Sequence, residues 1–139
     1  MASLRKFQHK LKGRQDALVR AVAYELAREV IVGGDYSPGT PVDTGFARSS
    51  WYVRLGAGTM LGRTITPGAV PGGDSALAEA SVLLLGAKAG ESVFLLNDTE
   101  YILPLEYGHS QQAPHGMVRI TVASGQMIVD KVAKRLTAS

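Results

Sequence analysis

The chain has 139 residues, of which 45% are apolar, a net charge of +3 and no cysteine. Its length predicts one domain over residues 1–139, and the lack of cysteine excludes disulfides, thiolate zinc sites and thiol nucleophiles. No apolar run is long enough to span a membrane and the N-terminus MASLRKFQHK lacks the apolar region of a secretory signal, so we expect a soluble protein made in the cytoplasm, without a membrane partner.

A long N-terminal helix is predicted from Ser3 to Val32, where Gly33-Gly34 supplies a stop. A helix of about thirty residues reaches about 45 Å, more than a domain of this size needs. Part of it is therefore expected to touch another molecule. The apolar residues that recur at spacings of three, four and seven are Leu4, Phe7, Leu11, Leu18, Val22, Leu26 and Val30.

The start of this helix is basic. Residues 1–14 contain no acidic side chain, and we expect them to protrude. Because Gly13 weakens the helix, its first turns are predicted to bend away or to become ordered only against a partner. A solvated helix face is the simplest interpretation of such a charge run, and an acidic partner is the alternative. The five basic residues are Arg5, Lys6, Lys10, Lys12 and Arg14.

A loop and a strand are predicted next. Asp35 to Asp43 (DYSPGTPVD) is dense in turn formers and predicts a loop. Ser49 to Leu55 (SSWYVRL) alternates in the manner of a β-strand. Residues 56–73 are rich in glycine and proline and predict a flexible loop, with room for one short strand at Arg63 to Thr66.

The middle of the chain predicts a helix and a second strand. A helix capped by Asp74 or Ser75 extends to about Gly86, and the alternative is a strand over Ser81 to Leu85. Ser92 to Leu96 (SVFLL) predicts a buried strand that ends in a turn at Asn97-Asp98.

The last third of the chain is predicted to be mainly helical. Thr99 to Tyr107 is either a short helix or an extended arm, because Pro104 is tolerated only in a first helical turn. Met117 to Leu136 predicts a helix, although Val118 to Val122 also alternates like a strand and Ser124-Gly125 is a natural junction. The elements together predict an α+β fold, with a small antiparallel sheet packed against long N-terminal and C-terminal helices.

The string Asp43-Thr44-Gly45 matches the catalytic motif of aspartic proteases. Such an enzyme needs two carboxylates, so a single copy of the motif would work only in a homodimer, as in retroviral proteases. The string LLLG at Leu83 to Gly86 also resembles the hydrophobic-Gly element that those enzymes carry later in the chain. Asp43, however, follows a proline-broken loop instead of an apolar strand, and those enzymes are nearly all β. A turn that leads into the next element is the simpler interpretation.

Other catalytic constellations are missing from the sequence. His9, His109 and His115 lack the spacing of metal ligands, and Ser49-Ser50 lacks the context of a nucleophile elbow. No phosphate-binding loop occurs. We therefore predict no catalytic site, no metal and no cofactor.

Two segments in a fixed order carry a resemblance to a known family. The first is PVDTG…SSW at residues 41–51, and the second is NDTEYILPLEYGHSQQAPHGMV at residues 97–118. Placed between an N-terminal and a C-terminal helix, they resemble the tail-component family of long-tailed bacteriophages, called neck, tail-completion or head–tail joining proteins; Phe46 and Pro104 depart from its usual pattern. The matching residues are Pro41, Asp43, Thr44, Gly45, Ser50, Trp51, Asn97, Tyr101, Leu105, Glu106, Gly108, Gln112, Pro114, Gly116 and Met117.

The resemblance implies a structural virion protein without enzymatic activity. It implies a homo-oligomeric ring at the head–tail junction, sixfold or alternatively twelvefold, between the capsid-side connector or head-closure protein and the tail tube or its terminator. A tail terminator ring is the alternative role. The expected location is the virion, and the host cytoplasm during assembly. The loops Asp35 to Pro41 and Thr59 to Gly73 are then candidates for contacts with neighbouring rings, and the basic residues 5–14 for an acidic partner or DNA in the channel.

Several side chains of these two segments invite a physical prediction. We expect Glu106 to be buried and paired with Arg48 or Arg119, because an unpaired buried carboxylate is costly. Aromatic and leucine side chains can anchor an interface; core packing is the alternative for each of them and is at least as favoured for Trp51 and Leu105. These anchors are Trp51, Tyr52, Tyr101, Leu105 and Tyr107.

Overall fold

Helices dominate the architecture, and two short strands form a sheet. The computed structural model describes residues 2–41, 46–56, 74–100, 102–108, 113 and 115–138. The fold is α+β, as predicted. Its elements are α1 (Ala2–Ile31), α2 (Phe46–Ser49), β1 (Tyr52–Leu55), α3 (Asp74–Leu84), β2 (Val93–Leu96), α4 (Ile102–Glu106), α5 (Val118–Ala123) and α6 (Gly125–Ala138).

Helix α1 confirms the long N-terminal helix. It runs unbroken through Gly13, where an added Cβ would meet nothing within 4 Å. It ends as the glycine pair predicts, since Gly33 adopts a φ of 91° that favours glycine. Only its second half is buried, and Ile31 at its end is fully enclosed. The first half projects beyond the rest of the described fold.

The sheet is a two-stranded antiparallel pair in which Tyr52 faces Leu96 and Leu55 faces Val93. The predicted strand from Ser49 begins too early, because residues 46–49 form α2 and place the side chain of Ser49 in the interior. Strand β2 is half-buried along its whole length, which corrects the prediction of a buried strand. Within the described residues the sheet has two strands, and α3 packs on β1.

Helix α3 confirms the helical prediction over the strand alternative. Its buried face, which includes Ala80 and Leu84, packs between Val53 of β1 and the part of α1 around Ala23. It runs antiparallel to α1, and its C-terminal end is fastened near Asp16, which accepts a hydrogen bond from the Ala89 N–H at 2.8 Å.

The described residues of the C-terminal region are mainly helical. Pro104 lies in the first turn of α4, where a missing N–H costs little. The strand alternative over Val118 to Val122 is wrong, and the helix is broken only at Ser124. Helix α6 packs along α1 antiparallel to it, with Arg135 3.3 Å from Glu25. The direct helical neighbour of β1 is therefore α3, and α6 lies against α1.

Three predicted features lie outside the described residues: the turn at Asp43-Thr44-Gly45, the strand at Arg63 to Thr66, and the loop of residues 57–73. Among the helices that the structure describes, none combines the length and the apolar character that crossing a bilayer requires.

Candidate functional site

The first signature segment is tied to the end of α1 through Thr40. The Trp51 indole donates to the Thr40 hydroxyl oxygen at 2.8 Å, and that hydroxyl donates to the Val30 carbonyl, also at 2.8 Å. The Thr40 N–H reaches the Ile31 carbonyl at 3.1 Å. These carbonyls are among the last ones of α1, which have no partner within the helix. Thr40 therefore caps α1 and holds Trp51 against it.

Arg48 and Asn97 join the first signature segment to its surroundings. The Arg48 Nε donates to the Thr40 carbonyl at 2.7 Å, whereas the cation paired with Glu106 is Arg119. The Asn97 side chain donates to the Ala47 carbonyl at 2.8 Å, and its oxygen accepts the N–H of Thr99 at 3.0 Å. Asn97 thus links the start of the second segment to α2, fifty residues earlier in the chain.

Glu106 organises the second signature segment. Its Oε1 accepts the N–H of Met117 at 2.9 Å and that of Val118 at 2.8 Å, and its Oε2 accepts the N–H of Arg119 at 2.9 Å. These are the first amides of α5, which lack partners within the helix and carry the positive end of its dipole. A carboxylate on α4 therefore caps α5 and closes the intervening residues into a loop.

Arg119 completes the predicted ion pair. Its Nε lies 3.0 Å from Glu106 Oε2 and its terminal nitrogen donates to the Glu106 carbonyl at 2.6 Å. Burial alone would raise the pKa of Glu106, but the three backbone N–H groups and the guanidinium outweigh it, and the pKa is lowered from its ordinary value of 4.5. The guanidinium also stacks 5.2 Å from the centroid of the Tyr107 ring.

Gly116 is required beside this carboxylate. Its φ is 79°, and a Cβ at this position would lie 2.5 Å from the Glu106 carbonyl oxygen and 2.6 Å from Oε2. Both the backbone angle and the space exclude a side chain. Gly108, with a φ of 85°, makes the turn after α4.

The signature residues that the structure describes are buried or half-buried. Core packing is confirmed for Trp51, which is in the cluster around Ile31, and for Leu105, which packs against that cluster. The buried members are Pro41, Ser50, Trp51, Glu106, Gly116 and Met117, and the half-buried ones are Asn97, Leu105 and Gly108. Asp43, Thr44, Gly45, Tyr101, Gln112 and Pro114 lie outside the described residues. The two signatures thus specify how the chain folds around the end of α1.

Glu29 is a structural residue that the sequence analysis missed. It is 1% exposed, and its Oε2 accepts the N–H of Tyr36 at 3.2 Å and of Ser37 at 2.9 Å. The loop at Asp35 to Pro41 is therefore fixed to α1, and its exposed positions include Asp35 and Pro38. The sequence signal was weak, because a glutamate in a helix normally faces solvent.

The surface that remains for partners lies elsewhere. The basic residues in the first half of α1 are all exposed: Arg5, Lys6, Lys10, Lys12 and Arg14. A groove of about 400 Å³ opens where α6 ends beside α1, between Arg14 and Leu18 on one side and Ala133 and Leu136 on the other. Within the described residues, no three His, Cys, Asp or Glu side chains come close enough to hold a metal ion.

No family model, no curated protein and no solved structure matches this chain.

Proposed function

We propose that this protein is a structural component of a bacteriophage virion that forms a ring at the head–tail junction and joins the capsid connector to the tail tube. The observation that carries the proposal is the ordered pair of signature segments, at residues 41–51 and 97–118, between two helices. Their described side chains form one connected structural unit around the end of α1, through Thr40 and Asn97. Such a unit can be shared by related proteins that differ at the surface.

The distribution of apolar side chains supports a role in assembly. Soluble monomers rarely expose large contiguous apolar patches, and larger patches mark protein interfaces. Here exposed large apolar residues occur on α1, on α3 and the turn after it, and on the C-terminal helices. They include Leu4, Phe7, Leu11, Val82, Leu83, Leu85, Leu103, Val122 and Met127. A protein that contacts neighbours on several sides, as a ring component between two other rings does, fits this distribution.

Two other functions remain as alternatives. A tail terminator, which caps the finished tube, would share this fold and symmetry and differ in the partner it binds first. A homodimeric aspartic protease through Asp43 is the remote alternative. Its later glycine element would be Leu83 to Gly86, but Leu83 lies in α3 and the described fold is mainly helical.

The test is deletion of the gene from the phage that encodes it, followed by electron microscopy. A joining protein predicts full heads and tails of normal length that stay apart, and addition of the purified protein restores joining as one discrete layer at the junction. Tails of uncontrolled length would identify the terminator role, since nothing would cap the growing tube. Normal virions would contradict both roles, and peptide cleavage at acid pH that Asp43→Asn abolishes would establish the protease.

A further inference from the structure

The first half of α1 forms a projecting arm, defined here as residues 3–14. The turn after α3 ends near Asp16, and α6 ends beside Arg14 and Leu18. Beyond these points α1 continues for twelve residues, or about 18 Å. Leu4, Phe7 and Leu11 form an apolar stripe along it and are 54%, 57% and 41% exposed. A helix of this kind is marginal alone in water, so its stripe calls for a partner.

The charge of the arm restricts that partner. It carries five basic residues and no acidic one, so pairing two arms side by side would bring ten positive charges together. A partner with an apolar face and a negative charge is favoured instead. Lys10 follows Phe7 by three residues and Arg14 follows Leu11 by three, so both lie beside the stripe on the helix surface.

Helix α3 has a face of this description. Val82 is 67% exposed, Leu83 49% and Leu85, in the turn that follows, 71%. Glu79, three residues before Val82 and four before Leu83, is an exposed acidic residue beside this face, and the helix contains no basic residue. At eleven residues, about 16 Å, α3 is long enough to match the stripe of the arm.

The arm cannot reach the exposed face of its own α3. Helix α3 packs through its buried face on the second half of α1, and the arm continues the same straight helix away from it. The two faces can meet only between different copies of the chain. Contact between two different patches is a heterologous interface, which forms a closed ring when the rotation between copies closes.

We propose that the arm of one copy packs its Leu4, Phe7 and Leu11 stripe on the exposed Val82, Leu83 and Leu85 face of the next copy. This contact is the subunit interface of the ring. The inference rests on the proposed function for its biological setting, but the interface is tested in solution on the purified chain.

Sedimentation of the wild type and of two exposed-site variants tests the interface. Phe7→Glu damages the arm and Val82→Glu damages the α3 face, and each is expected to weaken self-association by about tenfold to a hundredfold, because a large apolar side chain leaves the contact. Val122→Glu is the matched control, since Val122 on α5 is 71% exposed and lies on neither face. It should associate like the wild type. Circular dichroism melts check that all variants stay folded.

Mixing the two damaged variants identifies the geometry. Each retains one intact face, so the mixture should form heterodimers and stop there, because the remaining pair of faces places two carboxylates together. An arm-to-arm contact predicts instead that Val82→Glu associates normally and that mixing rescues nothing. Either result would overturn the proposal. A wild type that stays monomeric up to roughly 1 mM would also overturn it, because at that concentration even an association with a millimolar Kd is measurable.

The failure of the interface and the failure of the function give different results. If Phe7→Glu assembles normally and still restores a discrete layer at the head–tail junction, the interface is wrong and the joining role stands. If the protein associates as proposed but virions form normally without it, the interface stands and the joining role falls. If the protein is instead a monomer whose arm binds duplex DNA, and Lys10→Glu abolishes that binding, the partner of the arm is nucleic acid and not a second copy.

Discussion

Glu29 and Glu106 both hold a loop by accepting backbone N–H groups in the interior, and they differ in how many oxygens they use. The bonds that reach Glu29 end on Oε2, from two residues of the following loop. Glu106 uses both oxygens, for three amides of α5 and for the Arg119 side chain. The Oε1 of Glu29 can therefore be replaced by a group that accepts no hydrogen bond, whereas neither oxygen of Glu106 can.

The consequence is that the same residue type has a different energetic role in the two places. A carboxylate accepts hydrogen bonds at both oxygens, whereas a glutamine amide accepts at one and donates at the other. At Glu29 the amide nitrogen can replace Oε1, which lies 3.9 Å from Arg28. At Glu106 the amide nitrogen of a glutamine would face a backbone N–H in either orientation of the amide group. The stability of the loop held by Glu106 should therefore depend on the negative charge of its carboxylate. The stability of the loop held by Glu29 should depend mainly on one acceptor oxygen.

The largest expected effect comes from crowding the Glu106 carboxylate. Gly116→Ala adds a Cβ at a positive φ and within 2.6 Å of Oε2, so it should destabilise the fold by about 4 kcal/mol. Thermal or urea unfolding measures this. Gly13→Ala is the control, because nothing lies near its Cβ and alanine favours a helix; it should stabilise by about 1 kcal/mol. Equal effects at the two glycines would contradict the account of the Glu106 loop.

Two isosteric changes, one at each glutamate, test whether Glu29 and Glu106 differ in this way. Glu106→Gln should cost about 3 kcal/mol, since an amide hydrogen then opposes a buried N–H. Glu29→Gln should cost about 1 kcal/mol, because Oε2 keeps its two bonds. Both are read from the midpoint of urea unfolding at constant slope. Similar losses for the two variants would show that the oxygen count does not matter.

Acid should also destabilise the Glu106 loop, but by less than Glu106→Gln does. A protonated carboxyl group carries one hydrogen, whereas the amide nitrogen of glutamine carries two. The pKa of Glu106 is lower in the folded chain than its ordinary value of 4.5, owing to the N–H donors and Arg119, which together outweigh burial. Its stabilising contribution is therefore complete above about pH 4.5 and is lost as the pH falls through the folded pKa.

The measurement is the free energy of unfolding of the wild type and of Glu106→Gln between neutral and acid pH. The difference between them should shrink as the pH drops below 4.5. A difference that stays constant over this range would mean that Glu106 does not titrate with folding.

The smallest effect is expected at the exposed end of the Glu29 loop. Asp35 lies 2.7 Å from Lys131 of α6, and the hydrogen bond from Lys131 lowers the pKa of Asp35. Because both groups are exposed, Asp35→Asn should change the thermal midpoint little, and the change should vanish in high salt. A loss as large as that of Glu29→Gln would show that the loop is held from outside.

The signature residues also indicate where contacts with partners are to be sought. Trp51, Glu106 and Met117 are buried, so these signature residues stabilise the fold and are not available to a partner. The exposed stripe of the arm and the exposed face of α3 lie outside both signatures. Changes at Phe7 or Val82 should therefore affect assembly with little effect on stability, and changes at Glu106 should affect stability first.

The sequence by itself determined the elements with strong local periodicity. Helix α1 and β1 followed from the spacing of apolar residues and β2 from an apolar run, because such a pattern depends on the geometry of a single element. For α3 the pattern left a strand over Ser81 to Leu85 as the alternative. The sequence also indicated that Glu106 would be buried with a cation, since a carboxylate between apolar residues needs one.

Tertiary structure decided the features that depend on partners far along the chain. The choice of Arg119 over Arg48, the helical state of Val118 to Val122 and the capture of a loop by Glu29 all arise from hydrogen bonds between separate segments. The start of β1 was displaced because residues 46–49 form α2. No local pattern encodes these bonds, because a buried donor or acceptor is satisfied by whichever group the packing brings within reach.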